Sequence, residues 1–522
     1  MALLRLHDLK DSMLEMYHNT SSYFSWNTLA LYGGVIGGTW IAYKAFIEPF
    51  LSPLRQIPGT TFNPFWGNMK EIMKGEAMEA TIKMMKEHGT LCRYYFMFGR
   101  ERLMVADPDI MKHILVTNCK NYIKPPSRLR LMRMIFGNGL VMSEGSIHAS
   151  HKRFLSPSFN NNSIKKMISV FVKRSKKLVD EWTKQIEKDS SEQYAEIDAQ
   201  ATLSNTTLDI IGEIAFGYDF NSLENPDLEV TQAFQRILTG IGLSWRYALP
   251  FYHLLPFPDV KRFKSDVFQM HKAVQEVIQH KKNLLEQGAD VQEVTNDVLG
   301  QMLLAQDEDG QGLTEKELQD EVITLMLAGF ETTSTCLSWC LLLLAQNPAI
   351  QDKAREEVLR VLPSNINDIT WNHIEELSYC SCVIKETLRL CPPLPLTLRQ
   401  SLKNDYLGSK STSQYFVPEH TIILLAIGPM MRRDDLFDSA SEFIPERFLN
   451  REVDDGFYRF LPFLIGPRMC LGYKFANMEM RVVLALLLYN FVFKTVPGIH
   501  FLRQSRITMR PSPPLKLLVK KV

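Results

Sequence analysis

The most informative stretch of this chain is Phe463-Leu464-Ile465-Gly466-Pro467-Arg468-Met469-Cys470-Leu471-Gly472. It has the form F-x-x-G-x-R-x-C-x-G. A thiolate that binds a metal must be ionised and held with few competing contacts. The two glycines let the backbone turn and lie close to a flat macrocycle, where a Cβ would collide. The pattern therefore predicts that Cys470 is the axial ligand of a haem iron.

The neighbours of this cysteine also suit a bound haem. Amide groups exposed by the turn can point at the sulfur and stabilise its charge, and Arg468 can reach a haem carboxylate. The alternative is that Cys470 is a small buried hydrophobe, the usual fate of a free cysteine. At average residue usage, all five fixed positions match by chance in roughly one chain in ten thousand of this length. The pattern favours the ligand, with Phe463 and Arg468 as cofactor-binding residues.

Composition and cysteine spacing narrow the class of protein. Of the 522 residues, 45% are hydrophobic and 22% charged, which is typical of a well-filled globular core. Because 59 Lys and Arg face 58 Asp and Glu, the formal charge of +1 gives no support for a nucleic-acid partner. The eight cysteines include no C-x-x-C pair, which disfavours a disulfide framework or a zinc site. Reduced thiols in a cytosol-facing protein are predicted.

The amino terminus is predicted to be a single membrane anchor. No Asp, Glu, Lys or Arg occurs between Glu15 and Lys44, and residues 24–47 are long enough to cross a bilayer once. A cleaved signal peptide fits poorly, because about two dozen residues that include polar ones come first and no small-x-small cleavage site follows. A mitochondrial transit peptide fits poorly as well, because it should avoid the acids present here.

Charge and proline content suggest how the anchor joins the rest of the chain. Lys44 and Arg55 follow the span, a weak bias that favours a cytosolic body. Four prolines from residue 49 to residue 64 stiffen a connector and stop helix propagation. The predicted organisation is an anchor with its flanks over residues 1–48, a proline-rich hinge over 49–67 and a catalytic domain over 68–522.

Helical periodicity dominates the body that follows. The predicted helices span residues 77–88, 163–188, 201–216, 261–287 and 349–361. The predicted strands are few and short: 91–98, 102–105 and 421–427. Part of the stretch 289–312 is expected to be a solvated connector.

One long apolar helix is predicted to cross the centre of the body. It starts at a capping box formed by Thr314 and Glu317 and runs to Asn347, just before a proline. Residues 322–345 include a single charged residue, Glu331, so a second membrane span is an alternative. Several threonines and serines make one side of this stretch polar. A helix buried in a large body explains both features better.

Ala328-Gly329-Phe330-Glu331-Thr332-Thr333 lies midway along that helix. Gly329 lowers helix stability, and one reason for it is room beside the iron for dioxygen and water. Thr332 is predicted to donate to bound oxygen or hold a water, and Glu331 to supply protons. The alternative is that Thr332 merely bonds back to the carbonyl of Ala328 one turn earlier.

The order of these motifs resembles the cytochrome P450 family, the haem-thiolate monooxygenases, over essentially the whole chain. The hexapeptide is similar to the family's A-G-x-E-T-T signature, and an E-x-x-R from Glu386 to Arg389 lies between it and the cysteine loop. The resemblance implies a mainly α fold with a small β region, the cytochrome P450 fold, preceded by a single N-terminal transmembrane helix. It also implies that Glu386, Arg389 and Arg447 bond together and serve folding and haem retention.

The residues expected to bind the haem carboxylates depart from the family pattern. The family's W-x-x-x-R on an early helix is replaced here by His148 and Lys152. Both can donate hydrogen bonds to a carboxylate, although Lys lacks the bidentate fork of Arg. The alternative is that Lys152 or Arg153 faces solvent. Arg399, ten residues after Arg389, matches the family's other carboxylate-binding arginine. Histidine at this position resembles fungal members.

The resemblance implies a microsomal monooxygenase of the endoplasmic reticulum membrane, single-pass, with its catalytic domain in the cytosol. Its cofactor would be haem b on the Cys470 thiolate, with Glu331 and Thr332 as catalytic residues. One oxygen atom from O2 would enter a C–H bond of a small lipophilic substrate. Electrons would come from NADPH only indirectly, through NADPH-cytochrome P450 reductase, with cytochrome b5 as a further partner.

Two other functions fit the same motifs less well. A peroxide isomerase or dehydratase on this fold needs neither reductase nor dioxygen, and such members often lack the threonine found here as Thr332. A non-catalytic haem carrier or sensor would not need the pair of Glu331 and Thr332. The expected substrate pocket is formed by residues 130–141, 237–257, 325–330 and 394–397, which are mostly apolar. Fungal relatives include steroid hydroxylases, which makes a steroid the first substrate to consider.

Overall fold

The computed structural model describes residues 26–188, 194–227, 229–240, 252–288, 294, 296–306, 310, 312–409, 412–449 and 458–522. Residues 1–25 of the N-terminal flank, 241–251 of the expected substrate pocket and 307–309 of the predicted connector lie outside the described residues.

The described part of the chain is mostly helical. The helices are α1 Trp26–Phe46, α2 Glu48–Leu51, α3 Met69–Lys74, α4 Glu79–His88, α5 Pro108–Lys112, α6 Pro126–Phe136, α7 Gly145–Leu155, α8 Asn161–Lys188, α9 Ala199–Phe216, α10 Glu229–Gly240, α11 Pro258–Glu286, α12 Val298–Leu304, α13 Glu315–Gln346, α14 Pro348–Val361, α15 Trp371–Glu375, α16 Ser378–Leu390, α17 Ile427–Met430 and α18 Tyr473–Asn490. All five helices predicted from periodicity are confirmed to within three residues at each end, as α4, α8, α9, α11 and α14. Part of the predicted connector over 289–312 is the short helix α12.

Twelve short strands form two sheets and two hairpins among the described residues. They are β1 Leu91–Tyr95, β2 Glu101–Val105, β3 Tyr122–Ile123, β4 Ala195–Asp198, β5 Leu396–Ser401, β6 Asp405–Ser409, β7 Thr412–Val417, β8 Ile422–Ala426, β9 Phe491–Thr495, β10 Leu502–Ser505, β11 Met509–Ser512 and β12 Lys516–Lys521. The larger sheet has the order β1-β2-β8-β5-β3 and the smaller one β4-β12-β9. The hairpins are β6-β7 and β10-β11. The predicted mainly α fold with a small β region is confirmed.

Helix α13 is the central element of the body. Thr314 accepts from the Glu317 backbone N–H while the Glu317 carboxylate accepts from the Thr314 backbone, so the predicted capping box is present. Helices α8, α9, α13, α16 and α18 supply most of the largest apolar cluster. Among the described residues, α13 is the one helix long and apolar enough to cross a membrane, and 78% of its most apolar window is buried inside the protein. The prediction of a buried central helix is confirmed.

The N-terminal part of the described chain differs from the body. Helix α1 exposes large apolar side chains, including Leu31, Ile36 and Trp40. The prolines that follow lie on the body, because Leu54 and Ile57 are buried in the apolar cluster beneath the larger sheet. Gly59 pairs in a parallel bridge with Arg93, which belongs to β1. The segment expected to be a hinge therefore packs against the larger sheet.

Candidate active site

The cysteine loop is shaped by two residues with positive φ, Leu464 (φ 57°) and Gly466 (φ 71°). A Cβ on Gly466 would lie 2.3 Å from the carbonyl oxygen of Leu115, so this position requires glycine for both conformation and space. The Cys470 N–H donates to the Phe463 carbonyl at 2.8 Å and closes the loop. Directly after it, α18 begins at Tyr473. Local sequence therefore holds Cys470 in a tight turn at a helix start.

The thiol of Cys470 lies deep in the protein but remains accessible. It is the one exposed cysteine of the eight. Burial nevertheless raises its pKa to about 11, and a hydrogen bond from the Gly472 N–H lowers it. An accessible thiol surrounded by protein leaves room for a metal at the sulfur. The predicted amide donor to the sulfur is confirmed. A Cβ on Gly472 would meet no protein atom within 4 Å, so its close approach to a macrocycle stays a prediction.

A cationic cluster lies beside this loop, around the carboxylate of Glu144. Arg468 donates to Glu144 and, at 2.8 Å, to the Ser143 carbonyl. The ammonium of Lys124 donates to the other Glu144 oxygen at 3.1 Å. Lys152 donates to the Pro467 carbonyl at 2.9 Å, so it bonds to the cysteine loop.

The charges of this cluster are unbalanced. Burial and the positive charge of Arg468 lower the pKa of Lys124 to about 8. Burial, Arg468, Lys124 and Lys152 lower the pKa of His148 to about 4. Burial lowers the pKa of Arg399 to about 10, against the attraction of Glu144. The pKa of each group is therefore lowered mainly by burial and further by the neighbouring cations.

This donor set fits the two carboxylates of a haem. Lys, Arg and His side chains are the usual hydrogen-bond donors to carboxylates, and Arg468 lies two residues from the thiol. The structure brings together all four residues predicted to bind the carboxylates: His148, Lys152, Arg399 and Arg468. It adds Lys124, in Tyr-Ile-Lys-Pro-Pro, which sequence reasoning missed because no local pattern marks it. Phe463 is half-buried, its ring lies 6.4 Å from the Tyr473 ring, and its carbonyl accepts from Cys470.

The central motif of α13 carries the next candidate residues. The Thr332 hydroxyl donates to the Ala328 carbonyl at 2.8 Å, the local bond that sequence analysis gave as the alternative. A Cβ on Gly329 would lie 2.8 Å from Cγ1 of Ile211 on α9. Gly329 therefore has a packing reason, because α9 and α13 approach each other closely there, while the predicted room beside the iron stays a prediction.

The acid of this motif has partners that sequence analysis did not find. Glu331 is 1% exposed. Its Oε1 accepts from Arg510 Nε at 2.6 Å and from the Thr508 hydroxyl. Its Oε2 accepts from Arg510 Nη2. Thr508 and Arg510 belong to the C-terminal hairpin, 177 and 179 residues away in sequence. No sequence-local signal indicates this contact.

The predicted trio of Glu386, Arg389 and Arg447 is confirmed as a bonded group. Arg389 donates to both Glu386 oxygens at 2.7 and 2.8 Å, and Arg447 Nε donates at 3.0 Å. Arg389 also donates to the backbone carbonyls of Met431 and Ala440. Glu386 and Arg389 are fully buried, so each depends on the other for charge compensation.

Comparison with known proteins agrees with this site. A sequence model of the family described as Cytochrome P450 matches residues 57–519. The chain belongs to the cytochrome P450 family. Cytochrome P450 monooxygenase 205 of Postia placenta is 29% identical over 510 residues, which cover 90% of this chain and 92% of the relative. Ganoderic acid synthetase CYP5150L8 of Ganoderma lucidum is 27% identical, and the match covers 90% of this chain and 93% of the relative. Cytochrome P450 4A6 of Oryctolagus cuniculus is 27% identical, and the match covers 90% of this chain and 91% of the relative.

Family membership identifies the type of enzyme and its cofactor. This protein is a cytochrome P450 monooxygenase, an oxidoreductase that acts on small molecules together with redox partners. The family uses haem whose iron is bound by a cysteine thiolate, and its electrons come from NADPH through a reductase. The accessible Cys470 thiol and the excess of positive charge beside it suit such a cofactor.

Proposed function

We propose that this protein is a membrane-anchored monooxygenase that inserts one oxygen atom from O2 into a C–H bond of a small lipophilic substrate. Cys470 is the proposed iron ligand. The observation that carries the proposal is the accessible Cys470 thiol in its tight loop, two residues from the cationic cluster of Lys124, Arg399 and Arg468. An accessible thiol beside several cations that can donate to carboxylates suits haem. The same arrangement would be hard to explain in a structural protein.

The protein's share of the chemistry follows from the named contacts. The Gly472 N–H favours the ionised form of the Cys470 sulfur, since a hydrogen bond to a charged group favours that form. The cationic cluster would orient the haem through its two carboxylates. The haem, when bound, supplies oxygen activation and C–H oxidation, because no side chain can do this chemistry alone.

The α13 motif is proposed to manage protons. Thr332 carries a proton on Oγ1, which is donated to the Ala328 carbonyl in the observed state. Breaking that bond frees the hydroxyl to donate elsewhere. Glu331 is the proposed source of protons for Thr332, because positioned acids transfer protons efficiently in low-dielectric surroundings.

The substrate is proposed to be lipophilic, with steroids as the first class to screen. Phe330 of the central motif is buried and packs edge-to-face on Phe234 at 5.9 Å, and Leu325 is also buried. An apolar surrounding of this kind favours apolar molecules. Of the expected pocket segments, residues 241–251 lie outside the described part of the chain.

Membrane attachment is proposed to occur through α1 and a second apolar surface. Helix α1 has 21 residues, which at about 1.5 Å per residue matches a hydrocarbon core of about 30 Å, although among the described helices only α13 combines that length with high hydropathy. Near it, Phe65 and Phe98 are exposed, and the Phe98 N–H donates to the Phe65 carbonyl at 3.0 Å. Leu254 and Phe257, which precede α11, are exposed as well. This arrangement supports attachment to a membrane, and the proposed location is the endoplasmic reticulum membrane with the body in the cytosol.

The proposed electron donor is NADPH-cytochrome P450 reductase, with cytochrome b5 as a further partner. The test is reconstitution with reductase and measurement of substrate-dependent NADPH oxidation, with ¹⁸O2 to trace the inserted atom. The proposal predicts one labelled oxygen in the product. Conversion of a peroxide substrate without NADPH would instead support the isomerase alternative. Thr332→Ala is expected to divert electrons to hydrogen peroxide. Thr332→Ser is expected to retain coupling, which is the amount of product formed per NADPH oxidised.

A further inference from the structure

The carboxylate of Glu331 is enclosed and fully engaged by the C-terminal hairpin. Arg510 donates to both of its oxygens, through Nε at 2.6 Å and through the neighbouring guanidinium nitrogen. The Thr508 hydroxyl donates to Oε1 as well. With Glu331 1% exposed and Arg510 9% exposed, the pair is shielded from water. A guanidinium fork on a carboxylate is the strongest common side-chain pairing and fixes its orientation.

The hairpin is itself fastened to α13. The N–H of Met509 donates to the Pro393 carbonyl at 2.8 Å, and its carbonyl accepts from the Trp339 indole at 2.7 Å. Trp339 lies on α13, about two turns after Glu331. In addition, the hydroxyls of Thr335 and Thr508 lie 3.3 Å apart. Thr508 and Arg510 are therefore held beside Glu331 by backbone and side-chain bonds on both sides.

This arrangement turns the acid away from its neighbour on the helix. Successive residues of an α-helix point about 100° apart, so Glu331 and Thr332 face different directions. Thr332 donates back to Ala328, while Glu331 is bonded to the hairpin. In the observed state the two side chains share no bond. Proton transfer between them requires Glu331 to leave Arg510.

We propose that Arg510, with Thr508, is a latch: a positioning pair that holds Glu331 ionised and turned to the hairpin, and that must open for each proton delivery. This inference rests on the proposed role of Glu331 and Thr332. In the open state one proton from bulk hydronium binds a Glu331 oxygen and then moves to Thr332 Oγ1. The proton already on that hydroxyl would pass to the dioxygen-derived oxygen atom being reduced, whose electrons come from the reductase. The carboxylate ends ionised again and returns to Arg510.

The latch makes a specific prediction for a neutral residue at position 510. Arg510→Gln leaves the buried carboxylate without a cation, so it takes up a proton more readily and has no partner that restores its ionised form. The delivery of protons then no longer matches the delivery of electrons from the reductase. We expect product formed per NADPH to fall about tenfold, less than the roughly hundredfold or more that a complete proton-transfer group contributes, because Glu331 remains.

The pH profile separates a latch from a simple structural contact. In the wild type, the groups bonded to Glu331 are Arg510 and Thr508, with Thr335 bonded to Thr508. Because Arg510 compensates the charge of Glu331 in the wild type, coupling is expected to be flat between pH 6 and 8. In Arg510→Gln that compensation is absent, and coupling is expected to change with pH. Arg510→Lys keeps the charge but lacks the fork, and it should restore the flat profile with part of the yield.

The hairpin provides a matched control. Arg503 lies on β10, opposite Pro511 on β11, and pairs with Glu76 at 2.7 Å rather than with α13. Arg503→Gln breaks an Arg–Glu pair in the same hairpin and is expected to leave product per NADPH and its pH profile unchanged. The double variant Arg510→Gln/Glu331→Gln is expected to be no less coupled than Glu331→Gln alone, because both changes act on one contact.

The experiment measures product, NADPH and hydrogen peroxide from pH 6 to 8 for these variants, and the melting temperature of each substrate-free protein. We expect the single changes Arg510→Gln and Glu331→Gln to lower the melting temperature and the double change to recover part of the loss. Equal coupling and equal pH profiles in wild type and Arg510→Gln would overturn the latch. If Arg510→Gln does not fold, Thr508→Val, which removes one donor, carries the same test. A wild type that oxidises no NADPH with any substrate would instead contradict the proposed function.

Discussion

Arg468 shows how one residue can connect the iron-ligand loop to the rest of the site. It lies two residues before Cys470, and its guanidinium bonds to Glu144 and to the Ser143 carbonyl. Lys124 shares the same carboxylate. A single carboxylate among several cations leaves room for further negative charge, which the two haem carboxylates would supply.

At this scale, Lys124 should link haem affinity to pH. Without haem its pKa is lowered to about 8, and haem carboxylates would favour its charged form and raise that pKa. Below pH 8 the side chain is already charged. Above pH 8 haem binding must take up a proton, so the contribution of Lys124 falls by up to about tenfold per pH unit.

The measurement is haem affinity by competition with an apo-globin acceptor, for wild type and Lys124→Gln. The ratio of the two affinities removes effects common to both proteins, including ionisation of Cys470. We expect a ratio that favours the wild type, is constant between pH 6.5 and 7.5, and declines above pH 8. A ratio that is independent of pH would show that Lys124 does not meet the haem carboxylates.

The trio of Glu386, Arg389 and Arg447 gives a prediction about folding rather than chemistry. Glu386→Gln keeps the shape but removes the only negative charge of a fully buried group, leaving Arg389 uncompensated. We expect the free energy of unfolding to fall by about 3–5 kcal/mol, measured by urea denaturation. The control is Lys353→Ala, which breaks the half-exposed pair with Glu446 and should cost at most about 1 kcal/mol. A loss for Glu386→Gln no larger than that of the control would be incompatible with this role.

At the scale of elements, the contact between α9 and α13 explains the glycine of the central motif in part. Gly329→Ala brings a Cβ to 2.8 Å from Ile211, so the neighbour must shift. We expect a net loss of stability of about 1–2 kcal/mol, because overpacking costs about 1–3 kcal/mol and alanine favours the helix by up to about 1 kcal/mol. Thermal unfolding measures this loss.

A second substitution separates packing from the predicted space for dioxygen. Ile211→Ala in the Gly329→Ala background relieves the overlap, although it removes apolar packing of its own. If Gly329 serves packing alone, coupling of NADPH to product should return to that of Ile211→Ala. Coupling that stays low in the relieved variant would support the role of Gly329 in leaving space near the iron.

Sequence reasoning succeeded for elements whose pattern repeats over several turns. Helices such as α8 and α11 show an apolar face over 28 and 29 residues, and their ends were predicted within three residues. The strands β4 and β12 pair across more than 300 residues, with Ala195 opposite Val519. Nothing near either strand in the sequence indicates that pairing, since strand propensity depends on tertiary context.

The same distinction holds within the site. The loop of Cys470 and the motif of Glu331 and Thr332 are local patterns, so the sequence alone marks them as candidates. Lys124 and Arg510 reach the site through tertiary folding, from segments without a motif. Pairings of this kind, between single residues far apart in one sequence, have no periodic or compositional signal.

At the scale of the whole molecule, the division into an anchor and a body can be tested by truncation. Removal of residues 1–48 leaves the body core intact, because that core begins at Leu54 and Ile57. We expect the truncated protein to bind haem normally and to be released from membranes by high salt at alkaline pH. The full-length protein is expected to stay with the membrane, because a spanning helix is held far more strongly than a surface contact. Sedimentation after such a wash measures both.

The second apolar surface should then account for the remaining attachment. In the truncated protein, Leu254→Ser with Phe257→Ser is expected to weaken binding to lipid vesicles, since both side chains are exposed and apolar. The matched control is Leu502→Ser, another exposed leucine, which lies on the C-terminal hairpin. Equal vesicle binding by all three truncated proteins would argue against a membrane contact at residues 254–257.

The central claim, that Cys470 is the thiolate ligand of a haem, is tested most directly by a carbon monoxide difference spectrum of the reduced protein. The wild type and Cys470→Ser should be compared, with Cys119→Ser as a control in a partly exposed cysteine far along the chain. We expect the strongly red-shifted Soret band that gives the family its name in the wild type and in Cys119→Ser, and its loss in Cys470→Ser. A band at the normal position in the wild type, or an unchanged red-shifted band in Cys470→Ser, would contradict the assignment.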